Sequence, residues 1–62
     1  MNLKSNYWYE ITYPDNSTVV FQFLDISDEG VHRCKLCNGE ITYDIFKTNY
    51  SSLTEHGKNS PC

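Results

Sequence analysis

The sequence has no apolar run approaching the roughly 20 residues of a membrane-spanning helix. Its first ten residues, MNLKSNYWYE, lack the apolar stretch of a signal peptide. From these two absences we expect an intracellular chain in a reducing setting, with no membrane partner. The Asn-x-Ser/Thr patterns at Asn16 and Asn49 then read as chance matches. Basic residues are scarce, with five Lys and Arg against eight Asp and Glu. Internal repeats and low-complexity stretches are missing. The cysteine count is three, an odd number that a disulfide framework would leave with one stranded thiol. A zinc site instead takes three thiolates and completes its set with a histidine.

What is present is aromatic. Nine of 62 residues are Tyr, Phe or Trp, which is 15%, and large rings bury much area per residue. A chain this short usually needs a crosslink, a metal or a partner to hold its fold. Residues 7–13 (YWYEITY) and 18–24 (TVVFQFL) are rich in β-formers, and Pro14-Asp15-Asn16-Ser17 between them suits a turn, so a hairpin is expected. Within the second segment Val19, Phe21 and Phe23 alternate as in a strand, although Phe21 and Leu24 also match one helical turn. Residues 25–30 read as a polar loop. Further strands are expected near 31–35 and 40–46, joined at Asn38-Gly39, a strong hairpin signal. The segment 47–57 (KTNYSSLTEHG) reads as a short helix that places Leu53 and His56 on one face.

The spacing C-x2-C-x18-H-x5-C then selects Cys34, Cys37, His56 and Cys62 as ligands of one zinc ion. Four protein ligands close a tetrahedral site, which makes such a zinc structural and the chain no enzyme. His32, two residues before Cys34, is the rival histidine. Redox chemistry at the Cys-x-x-Cys is disfavoured, because a β-rich stretch and not a helix follows it. The fold class expected is a small zinc-stabilised α+β domain, with β-hairpins and one short C-terminal helix around a single structural zinc.

Phe21 and Leu24, Cys34-Lys35-Leu36-Cys37, Ser51-Ser52-Leu53-Thr54-Glu55-His56 and Cys62 together resemble the BED-type zinc finger. The resemblance covers residues 18–62 and leaves 1–17 as an aromatic-rich extension. It implies the same four ligands and a hairpin-plus-helix fold. It also implies a nuclear role in double-stranded DNA binding, as in chromatin-associated or transposase-derived proteins. Phe21 and Leu24 stand where that family usually has Trp and Phe, and Gly57 follows the helical histidine where Leu is common.

On that reading Arg33, Lys35, Lys47 and Lys58 would meet phosphates, while Asn49, Tyr50 and Ser52 on the helix would approach bases. The net charge of −3 runs against it, since nucleic-acid domains are usually basic. The alternative is a protein-interaction module whose contact surface is the aromatic hairpin around Tyr7, Trp8 and Tyr9.

Overall fold

Three tight turns share one geometry. In the first, Tyr13 N–H donates to Ser17 C=O and Asn16 N–H to Tyr13 C=O. The same pair of bonds recurs at Ser27, Gly30 and Val31, and again at Leu36, Gly39 and Glu40. In each turn the third loop residue is left-handed: Asn16 at φ 70°, Gly30 at 83° and Gly39 at 87°. This is the three-residue hairpin that ends in a left-handed bulge position, which Gly and Asn tolerate. Asn38-Gly39 therefore closes a hairpin as expected, with positive φ at Gly39 alone.

The computed structural model describes residues 2–62. These turns join β1 (Trp8–Thr12), β2 (Thr18–Ile26), β3 (His32–Leu36) and β4 (Ile41–Thr42) into an antiparallel meander. Residues 43–51 then cross to the far edge, where β5 (Ser52–Gly57) pairs antiparallel with β1. The strand order is β4-β3-β2-β1-β5. The boundary expected at 17/18 falls inside the β1–β2 hairpin, so both sides of it belong to one sheet.

One face of the sheet carries the core. Tyr9 and Ile11 from β1, Phe21 and Phe23 from β2 and Cys34 from β3 pack with Ile45 from the crossing segment. Phe21, Ile11 and Cys34 are fully buried. Phe46 is ringed by aromatics: Phe21 at 5.7 Å, Tyr50 at 5.8 Å and His32 at 4.7 Å between centroids. The crossing segment thus serves as the lid of the core.

Two expectations are corrected here. The fold is an all-β sheet and not α+β, and among the described residues 47–57 form no helix. A helix over 47–57 would be about three turns long, too short to be stable without packing, and its Ser and Thr residues compete for backbone groups. As a strand, the segment satisfies the open edge of β1, and Ser51 N–H donates to Thr12 C=O at 2.7 Å to start the pairing. Leu53 then sits opposite Ile11 and packs on the core.

Candidate functional site

The four residues expected to hold zinc do not gather in one cluster. Cys37, in the β3–β4 turn, is disulfide-bonded to Cys62, with Cα atoms 5.7 Å apart. Cys34 lies in the core, and burial pushes its thiol up to about 12. A thiol that burial holds protonated is a poor nucleophile. His56 is the extra residue where the β1–β5 register shifts, and its Nε2 lies 3.2 Å from Glu10 Oε1. His32, the rival, packs against Phe46 and Phe23. Among the described residues no group of three or more His, Cys, Asp or Glu side chains is placed to hold a metal. As placed, these residues do not fit a zinc centre, since a disulfide consumes two of the three sulfurs that zinc would need as thiolates.

The residues expected at nucleic acid are spread over β3, the crossing segment, β5 and the residues after it. Arg33 grips Asp25 with two hydrogen bonds, Nε to Oδ1 at 2.8 Å and Nη2 to Oδ2 at 2.7 Å. That pairing raises the guanidinium further and lowers the Asp25 carboxyl, the hydrogen bond being the main cause in both. Lys35 is exposed on β3, Lys47 and Asn49 are exposed on the crossing segment, and Ser52 begins β5 on the opposite edge. Tyr50 packs against the core. The Lys58 ammonium lies 5.9 Å from the Tyr7 ring.

The aromatic residues of the first hairpin are largely buried. Tyr9 is 3% exposed and its hydroxyl accepts from Lys4 N–H at 2.8 Å, while Trp8 is 9% exposed. Tyr7 is half-buried, with the Lys4 ammonium 5.1 Å from its ring centre. Large apolar side chains reach solvent elsewhere: Ile26, Ile41 and Tyr43.

Ile41 pairs with Lys35 across the β3–β4 ladder, and Tyr43, in the bend that follows β4, lies within the electrostatic reach of Arg33. The result is a small surface of Ile41, Tyr43, Lys35 and the Arg33–Asp25 pair at one edge of the sheet. Its sequence signal is the Ile-Thr-Tyr alternation one residue beyond Asn38-Gly39, mirrored by Arg33 and Lys35 before the turn.

An open groove of about 500 Å³ lies between the first hairpin and the crossing segment, lined by Tyr13, Pro14, Asp15, Ser17, Thr48 and Asn49. Its one carboxylate, Asp15, accepts from Ser17 Oγ and N–H, which lowers its affinity for protons. No nucleophile paired with a base faces this groove among the described residues. No family matches the chain, and neither a curated protein nor a solved structure is detectably similar to it.

Proposed function

We propose that this chain is a protein-interaction module that works in an oxidising compartment and binds its partner through the β4 edge. The observation that carries this reading is the exposure of Ile41 and Tyr43, 39% and 53%, beside Lys35 and Arg33. Tyr and Arg are enriched at interfaces, and an aromatic anchor rimmed by charge is the usual form of a binding hot spot. The partner that fits is a protein with an apolar spot bordered by carboxylates facing Lys35. The compartment is supported by the Cys37–Cys62 disulfide, since such bonds persist where thiols are not kept reduced.

A photo-crosslinking amino acid at position 43 tests the contact surface, with position 47 as the control. Crosslinks to a protein from position 43 alone, lost on Ile41→Ser, are the expected result. Equal crosslinking from both positions would defeat the reading. So would binding to a duplex DNA pool that weakens steeply with salt, which would point to phosphates as the partner. Sedimentation at increasing concentration identifies the case in which the partner is a second copy.

A further inference from the structure

Trp8 is nearly buried, yet it lies outside the core cluster. Alternation along β1 explains why, because Tyr9 and Ile11 point into the core and Trp8 therefore points to the opposite face. Trp8 pairs with Gly57 on one side and Gln22 on the other. Gly57 ends β5 at one edge of the sheet, while Cys37 lies in the turn between β3 and β4 towards the other. The chain from Gly57 to Cys62 must bridge this width, crossing β1 and β2. Three strand spacings come to about 14 Å. Five extended residues reach about 17 Å, and the disulfide adds 5.7 Å between Cα atoms. That reach exceeds the width by several ångströms, so the segment is long enough to cross the sheet. Leu36 packs on the core, so the position after it is directed to Trp8's face.

We infer that residues 59–62 form a strap across the face opposite the core, that the strap covers Trp8, and that reduction of Cys37–Cys62 releases it while the sheet stays folded. This inference is independent of the reading of the β4 edge.

Both Cys37 and Cys62 are exposed, so a dithiol reductant can reach them. Its thiolate attacks one sulfur to give a mixed disulfide with the protein, and its second thiol closes on that bond. Two electrons pass to the protein, the reductant leaves as its own disulfide, and Cys37 and Cys62 take up protons as thiols. Cys34 does not reshuffle the pair, because it is fully buried and holds its proton. The core residues Ile11, Phe21, Phe23 and Ile45 all belong to the other face, so releasing the strap leaves their packing in place.

Trp8 is the only tryptophan, which makes its fluorescence a direct probe of the strap. The full chain is compared oxidised and reduced with dithiothreitol, at low temperature and with sulfate present to support the fold. The expected result is a red-shifted emission and a severalfold rise in acrylamide quenching, with the far-UV circular dichroism of the sheet retained. Cys62→Ser should reproduce the change without reductant. Brief alkylation of the reduced protein should label two thiols and spare Cys34. Unchanged quenching in a reduced, folded chain would show that something else covers Trp8. Loss of the sheet spectrum despite sulfate would show a global staple in place of a strap. Either outcome overturns the inference.

Discussion

The Tyr13 hydroxyl donates to the Ile45 carbonyl at 2.7 Å, fastening the first hairpin to the segment that roofs the core. The two residues are 32 positions apart, and the bond joins the start of the chain's first turn to the crossing that follows its last meander strand. Tyr13→Phe should cost about 1 kcal/mol, or somewhat more if the Ile45 carbonyl finds no water. Burial is the main reason that the Tyr13 phenol holds its proton above the ordinary value of 10.0, with the Asp44 charge second. A raised folded value means that this stabilisation is complete below pH 10 and fades as pH climbs through the higher folded value. Denaturation midpoints at pH 8 and pH 11 should therefore converge for wild type and Tyr13→Phe at the alkaline end.

The shared turn geometry sets a contrast between two substitutions. Gly39 has φ 87° and open space where a Cβ would stand, so Gly39→Ala meets only backbone strain. A destabilisation of about 1 kcal/mol is expected from that strain. Asn16 already carries a side chain at φ 70°, and Asn16→Gly should be near neutral. Urea midpoints of the two variants would reveal whether the turns really are equivalent.

Cys34 is expected to act as a small core residue. Cys34→Ala should cost about 1 kcal/mol, while Cys34→Ser should cost more, since it buries a hydroxyl among Tyr9, Phe21 and Phe23. Native mass spectrometry gives the chemical check. The oxidised protein should weigh two hydrogens less than the reduced one and carry no zinc. Zinc retained by wild type and lost from Cys34→Ala would show that this thiol is a ligand.

Asp25 should titrate below the ordinary carboxylate value of 3.8 because of its hydrogen bonds from Arg33. The sign follows directly: a lowered folded value stabilises above pH 3.8 and loses its effect as pH falls through the folded value. Carboxyl shifts followed by nuclear magnetic resonance should show Asp25 moving upward in Arg33→Gln. Global stability at neutral pH should change little, because both partners are solvent-exposed.

Much of the sheet is legible in the sequence. Residues 7–13 and 18–24 alternate with period two, and every meander turn carries an Asn or Gly where the left-handed position falls. The last strand is not legible, because Leu53 and His56 are three apart and mimic a helical turn. What makes them a strand is the vacant edge of β1, which lies some forty residues away. Cys34 falls inside the strand read at 31–35 and Cys37 in the turn beyond it, so whether their sulfurs meet rests on the geometry of the turn. The pairing of Cys37 with Cys62 is not written locally, because it depends on how β5 crosses the sheet. The β4 edge was similarly hidden, since Ile41 and Tyr43 look like core residues until the chain leaves the strand at Thr42.

The strand order also governs the sequence of events in folding. The first four strands are joined by three-residue turns, so their contacts are local and close quickly. Pairing of β5 with β1 brings Ile11 to Leu53, a long-range closure that gains nothing until the crossing segment is in place. The meander should therefore form the nucleus, with β5 docking late. Leu53→Ala should then accelerate unfolding in stopped-flow experiments and leave the folding rate nearly unchanged, whereas Phe21→Ala should slow folding. The same five strands in sequential order would have no such late step. The excursion of one short strand to the opposite edge gives this small sheet a closure that follows its rate-determining step.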